Sequence, residues 1–282
     1  MKQKILPNNF AIFILSHKRP ENPTYKTLMK CNYSGKFYFV LDDLDESIPQ
    51  YGKNYGKDKL LIFSKKEVAK RIDFMSNWTI TAIDTYARNA CFDLAKEIGI
   101  DYFLILDDDY DSFRYRFPNE KSVTCWNLTE AIKAYLDYFI KHEQITTLCW
   151  AQGADLSVVK NGETKRKAMN AFFCSTDRFI SWMGQMNDDV NAYTRYNQLG
   201  KIFITFPFVQ LNQEPTQTTG GSAGMYKEIG TYQKSWYSIL QCPSFIKIST
   251  FSKGFRMSKY RIHHKINFKF GTAQIISSKY KK

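Results

Sequence analysis

The six cysteines of this chain (Cys31, Cys91, Cys125, Cys149, Cys174 and Cys242) form no CxxC pair. Thiols scattered in this way argue against a structural zinc site and suit a reduced, cytoplasmic setting better than a disulfide framework. No apolar run approaches the roughly 20 residues needed to cross a bilayer, so no membrane partner is expected. The opening stretch, MKQKILPNNF, lacks the apolar core of a signal peptide. Neither GxxxxGK[ST] nor GxGxxG occurs, which removes the two common glycine signatures for phosphate binding. No internal repeat and no long linker divides the chain.

The most informative absence is acid. From Ile229 to Lys282 there are 11 Lys or Arg and no Asp or Glu, whereas the preceding residues nearly balance 29 basic against 27 acidic groups. The formal net charge of +13 therefore sits almost entirely in the C-terminal stretch. A surface of one sign attracts polyanions such as nucleic acid. The stretch is interleaved with Phe, Tyr, Trp and Ile, so it reads as folded; only SSKYKK has the look of a loose tail.

What is present is enough for a large core: 282 residues, 44% hydrophobic, with 22 Phe and 18 Tyr. FAIFILS (10–16) is an apolar run of strand length, suited to a buried parallel strand. GKFYFVLDD (35–43), DKLLIFS (58–64) and DYFLILDDD supply three more strands. TYKTLMKCN opens as a helix with Thr24 as its expected N-cap. TITAIDTYARNACFDLAKEIG (79–99) carries an apolar stripe at helical spacing: Ile80, Ile83, Ala87, Cys91, Leu94 and Ile98. Strands alternating with helices predict an α/β fold, a single large domain with a mostly parallel, Rossmann-like sheet. Beyond Asp109 the expected elements are helices over 128–142, 188–200 and 227–241, and strands over 145–150 and 201–210. A polar hairpin is expected at 158–167 and a glycine-rich loop at 216–226. We divide the chain into a nucleotide-binding half (1–116) and a mixed acceptor-side half (117–282).

FLILDDDYDSF places Asp107, Asp108 and Asp109 directly behind an apolar strand. Adjacent carboxylates repel one another and raise one another's pKa unless positive charge offsets them. A divalent cation with a preference for oxygen ligands is one such offset; a solvated acidic turn is the simpler alternative. In open α/β sheets ligands bind beyond the carboxyl ends of the strands. That edge collects Ser16, Lys18 and Arg19 after the first strand, Asp42 and Asp43 after the second, and the three aspartates after the fourth. Carboxylates beside basic groups suit a metal-bound diphosphate. Arg88 and Asn89 lie beside the apolar stripe of the long helix. Arg88 either pairs with Asp84 at i,i+4 or faces donor phosphates. Asp188 and Asp189 suit a helix start, or act as a base toward an acceptor hydroxyl. The adjacent His263 and His264, two of only four histidines, offer a metal ligand, a phosphate contact or a base, or simply the two faces of a strand.

AIFILSHKRPENPTYKTL, YARNACFDLAKEIGIDYFLILDDDYDSFRYR and YRIHHKI together resemble the TET-associated glycosyltransferase family, GT-A-like enzymes of bacteriophages associated with glycosylating hydroxymethylated pyrimidines in DNA. The resemblance spans about Phe10 to Phe270. It implies a DxD element with Asp107 and Asp109 holding Mn²⁺ or Mg²⁺ on the diphosphate of a nucleotide-sugar, a UDP-linked one being expected. It places Ser16, Arg19 and Thr24 in the first nucleotide-binding loop and Arg88 against the donor; Asp42 and Asn89, by their positions at the strand edge and on the helix, and Asp108 are also assigned to the donor. Asp189 or Asp188 would occupy the catalytic acid position, and His263 or His264 a late metal or phosphate position. The implied partner is double-stranded DNA carrying 5-hydroxymethylcytosine, whose C5 substituent projects into the major groove. Lys253, Arg256, Lys259, Arg261, Lys265 and Lys269 are the expected phosphate contacts. Rival expectations are a GT-A transferase acting on a glycan or small molecule, a metal-dependent nuclease and a non-catalytic DNA-binding protein.

Overall fold

The computed structural model describes residues 6–75, 84–117, 122–153, 164–169, 171–213, 233–251, 261–269 and 279. The expected glycine-rich loop, most of the 158–167 hairpin, and Lys253, Arg256 and Lys259 lie outside them.

The chain opens with β1 (Phe10–Leu15), α1 (Pro23–Lys30), β2 (Phe37–Asp42), α2 (Ile48–Tyr55), β3 (Leu60–Phe63), α3 (Lys65–Ala69), α4 (Asp84–Glu97) and β4 (Tyr102–Asp107). These four strands lie side by side in the order β3-β2-β1-β4, all parallel. All six residues of β1 are buried, as its unbroken apolar run requires of a strand covered on both faces. One face of the strands (Phe13, Leu15, Phe103 and Ile105) packs in the same cluster as Cys91 and Leu94 of α4. The other (Ile12, Ile14, Leu104 and Leu106) packs with Leu28 of α1 and with Ile132 and Leu136 farther along the chain.

β5 (Tyr110–Tyr115), β6 (Val123–Thr124), α5 (Leu128–Lys141), β7 (Ile145–Gln152), β8 (Phe172–Ser175), α6 (Asp188–Gln198) and β9 (Ile202–Gln213) follow. They extend the sheet to nine strands, β3-β2-β1-β4-β8-β7-β9-β5-β6. β8 and β5 run against the other seven. The sheet is thus parallel through the first half and mixed beyond β4, the expected α/β arrangement. By sequence β5 belongs to the first half, yet it pairs with β9 of the second. Only Asp108 and Asp109 separate β4 from β5, too short a reach to cross three intervening strands. The sheet therefore folds back there, and the register of β9 on β7 slips between Trp150 and Ala151, a bulge that bends the strand.

Last come α7 (Gln233–Gln241), β10 (Ile246–Phe251) and β11 (Arg261–Ile266). β10 and β11 form a separate two-stranded antiparallel sheet. One expectation needs correction, and two strands come without one. α1 is capped by Asn22, whose side chain accepts the amide of Tyr25, and not by Thr24, because Pro23 takes the first helical position. The YDSFRY segment, to which no element is assigned from sequence, forms β5. FFCS forms β8, a strand too short to leave a sequence period.

Candidate active site

β1 pairs with β2 on one side and β4 on the other. Strand order reverses there, and open α/β sheets bind ligands at such a switch point. Leu15 stands opposite Asp107 in the β1–β4 register, so Ser16 and the three aspartates share one edge, as the sequence predicted. A cleft at this edge is lined by Ser16, His17, Asp42, Lys65, Asp107 and Asp108, among others.

The turn through Asp107–Tyr110 is held from behind by α1. Thr24 Oγ1 donates to the carbonyl of Asp107 (2.6 Å) and accepts the amide of Tyr110 (2.9 Å). Thr27 Oγ1 donates to the carbonyl of Tyr110 (3.0 Å). Thr24 is fully buried, so its hydroxyl shapes the acidic turn and does not reach a nucleotide. That corrects its assignment to the donor contacts.

Each carboxylate has a distinct environment. Asp108 receives Ser16 Oγ on one oxygen (2.6 Å) and Arg19 Nη1 on the other (2.6 Å). Ser16 spends its only proton on Asp108, so it accepts from Tyr51 Oη (2.6 Å) and from Asn22 Nδ2 (3.3 Å). Tyr51 Oη in turn accepts the amide of Arg19 (3.1 Å). Asp107 meets Arg88 Nη2 at 3.3 Å. Asp109 keeps a buried Oδ1 without a hydrogen-bond partner. Burial, opposed by Arg88 and reinforced by Asp109, pushes Asp107 up to about 7. Burial and the charge of Asp108 push Asp109 up to about 6. Burial also raises Asp108 against the pull of Arg19. The crowding expected from three consecutive acids is therefore only partly relieved by the protein's own cations.

Arg88 joins the two halves of the molecule. It is buried on α4, and its Nη1 donates to both oxygens of Asp188 (2.8 and 2.7 Å) while Nη2 reaches Asp107. The i,i+4 pairing with Asp84 is not the contact that forms. Asn89 is buried beside it and serves structure: it donates to the carbonyls of Thr85 and Trp182 and accepts from Ser181 Oγ and the amide of Trp182. With its amide fully used this way, Asn89 is corrected from a donor contact to a brace between α4 and the 181–182 segment. Asp189 lies next to Asp188 at the start of α6 and accepts the amide of Val190 (2.7 Å). Burial first, then the charge of Asp188, pushes it up to about 6.

Asp42 is buried between His17 Nδ1 (2.7 Å) and Lys65 Nζ (3.0 Å). Burial alone would raise it, but these two partners outweigh that effect and hold it below the usual carboxylate value. Sequence reasoning placed Asp42 here and missed His17, Lys65 and Tyr51. Position behind β1 and β3 was the available signal for the first two; nothing marked Tyr51.

Among the described residues no three His, Cys, Asp or Glu side chains form a cation site. β11 pairs with β10 in a separate two-stranded sheet, and His264 is buried with Nδ1 3.3 Å from Asn187 Nδ2, the residue before Asp188. Lys265 and Lys269 are exposed, and Arg261 begins β11.

Carboxylates and arginines gathered at the switch point of an open α/β sheet define a class: enzymes that bind a charged ligand beyond the strand ends. Within it the chain belongs to the TET-associated glycosyltransferase family, whose model matches residues 10–222. No curated protein matches the chain. Among solved structures it is similar to a mycobacterial protein (8% identity, TM-score 0.48, covering 91% of this chain and 83% of that one). It is also similar to a putative nucleotide-diphospho-sugar transferase from Desulfovibrio desulfuricans G20 (10%, 0.41, 73% and 82%). A third is glucosyl-3-phosphoglycerate synthase from Mycobacterium tuberculosis in complex with Mg²⁺ and uridine diphosphate (7%, 0.46, 91% and 87%). Likenesses this distant carry no argument about activity. Among the described residues no helix is long and apolar enough to cross a membrane.

Proposed function

We propose that this glycosyltransferase moves a sugar from a UDP-linked donor to a hydroxymethylated pyrimidine, 5-hydroxymethylcytosine above all, in phage DNA. The observation that carries the reading is the Asp107–Asp109 turn at the β1–β4 switch point, flanked by Arg19 and Arg88, in a chain of this family.

Glycosyl transfer develops positive charge at the anomeric carbon and negative charge on the departing diphosphate. Arg19 and Arg88, already at the edge, can follow that growing charge without reorganisation. A divalent cation fits the same place. Both oxygens of Asp108 are committed to Ser16 and Arg19, whereas Asp109 has an unpartnered oxygen and Asp107 only long contacts, to Arg88 Nη2 (3.3 Å) and Tyr110 Oη (3.5 Å). Asp107 and Asp109 would therefore hold Mn²⁺ or Mg²⁺, which supplies charge neutralisation on the diphosphate. The nucleotide lies along the β1–β2 edge, where His17, Asp42 and Lys65 offer donors and acceptors. Both oxygens of Asp188 are bound by Arg88, which makes it a poor base. Asp189, with its pKa near 6, takes the proton of the acceptor hydroxyl. In this reading residues 1–116 bind the donor and 117–282 face the acceptor, in the cytoplasm of an infected cell.

The test is incubation with hydroxymethylcytosine duplex and a panel of nucleotide-sugars, with and without Mn²⁺, followed by nucleoside mass spectrometry. A hexose-sized or pentose-sized mass gain on the modified base that requires metal is the expected result. Transfer only to glycans or small molecules, or strand cleavage without a donor, overturns the reading.

A further inference from the structure

The β10–β11 ribbon has two chemically different faces. In its register Ile246 stands opposite Ile266, and Ile248 opposite His264; on the alternate face Lys247 stands opposite Lys265, and Ser249 opposite His263. The first face turns inward in part: Ile246 and His264 are buried. The second presents Lys247 and Lys265 to solvent. Directly opposed side chains on a strand pair have Cβ atoms roughly 5 Å apart, and like charges there destabilise the pair. Residues 229–282 contain no acid, and among the described residues no salt bridge engages either lysine. A repulsive pair one position in from the end of the ribbon suits an anionic partner that would offset it.

We propose that the β10–β11 ribbon is the element that grips the acceptor duplex, with Lys247 and Lys265 on backbone phosphates. This rests on the DNA-acceptor reading above and deepens it. Three observations favour duplex DNA. A two-stranded ribbon is one of the few elements that the major groove admits, and the C5 substituent projects there. Six residues per strand span about 20 Å, long enough to bridge successive phosphates. The inner face of the ribbon contacts the catalytic region: His264 meets Asn187, the residue before Asp188, and Asn187 also donates to the carbonyl of Lys234 and to Ser238 on α7. A duplex held on the outer face thus lies on the element that braces the start of α6.

The experiment compares the parent chain with Lys247→Gln/Lys265→Gln. Fluorescence anisotropy on a hydroxymethylcytosine duplex and on an unmodified duplex, across a salt series, reads the phosphate contacts. Losing two contacts should flatten the log–log salt slope by about two units and weaken binding tens of fold near 0.1 M salt, on both duplexes alike. The thermal midpoint should stay the same or rise, because repulsion is removed. Unchanged affinity and slope in the double variant, with the parent binding DNA steeply, overturns the ribbon while leaving the acceptor reading intact. A parent chain that binds neither duplex removes the acceptor reading itself. Binding of phosphatidylserine vesicles that depends on both lysines, with duplex affinity unmoved, also overturns the proposal. Should the double variant fail to fold, each single Lys→Gln change is expected to flatten the slope by about one unit, and a flat response in both overturns it.

Discussion

The donor edge and the C-terminal ribbon solve opposite electrostatic problems. At the edge, carboxylates are crowded, largely buried, and held by Arg19, Arg88 and Lys65 in fixed hydrogen-bond geometry. On the ribbon, Lys247 and Lys265 stand in water, and among the described residues no acid pairs with them. A buried charge must be paired because the protein interior solvates it poorly; an exposed one need not be, because water and salt screen it. The first arrangement suits a ligand recognised in one pose, the second a partner recognised by charge density along its length. Mutations in the two regions should therefore fail differently, the edge through geometry and stability, the ribbon through salt-dependent affinity.

The sharpest way to break the contrast is at the acids. Asp107→Ala and Asp109→Ala should each lower transfer by roughly 10³-fold, as loss of a preorganised charge-stabilising group does, measured by initial rates of product formation with saturating donor. Excess chelator should have a comparable effect, whereas ribbon variants should respond to chelator like the parent. Full turnover in chelator would end the assignment.

Arg88→Met should cost about 3–5 kcal/mol of stability, because Asp107 and Asp188 are left in the interior without their cation. Urea denaturation with Arg88→Met beside Lys265→Gln tests the comparison directly. Equal stability in the two would show that the edge is no more tightly built than the ribbon.

Asp189→Asn separates function from stability within the acidic region. Burial raises Asp189 to about 6, above its value of about 4 in the unfolded chain. The fold therefore loses stability as pH rises from about 4 through 6, and the full penalty persists above. Asp189→Asn should abolish the rate dependence on acceptor deprotonation while melting no lower than the parent at pH 7.5. The parent's kcat should fall about tenfold per pH unit below about 6. A variant that retains full turnover would move the base elsewhere.

The smallest effect is expected from the support behind the turn. Thr24→Val removes one hydrogen bond to Asp107 and one from Tyr110, at a cost of about 1–3 kcal/mol. Loss of metal-dependent activity beyond the loss of folded protein would show that the α1 brace also sets carboxylate geometry.

Much of the donor half was legible in one dimension. β1, β2 and β4 announce themselves as apolar runs because parallel strands are covered on both sides, and the aspartates follow β4 without a gap. β5 was not legible, because Asp111 and Ser112 together break the period-2 alternation of YDSFRY, where the register slips between Tyr110 and Ser112, behind an acidic triplet that resembles a chain reversal. Thr24 looked like a cap because pattern alone does not show that Pro23 already occupies the helix start. His17 sits in a loop and Lys65 opens the short helix α3, where no periodicity marks them, and they gain meaning only when both touch Asp42.

By itself the sequence determined the strand core, the acidic edge beyond it and the one-signed C-terminal stretch, because each depends on which residue types follow one another. Only the tertiary structure decided which charge meets which. Arg88 and Asp188 lie 100 positions apart, Ser16 and Asp108 lie 92 apart, and the two ribbon lysines become neighbours only when β10 and β11 pair. Such pairings are fixed by the packing of buried apolar faces against one another. That packing is a property of the folded chain as a whole, and no local stretch carries it.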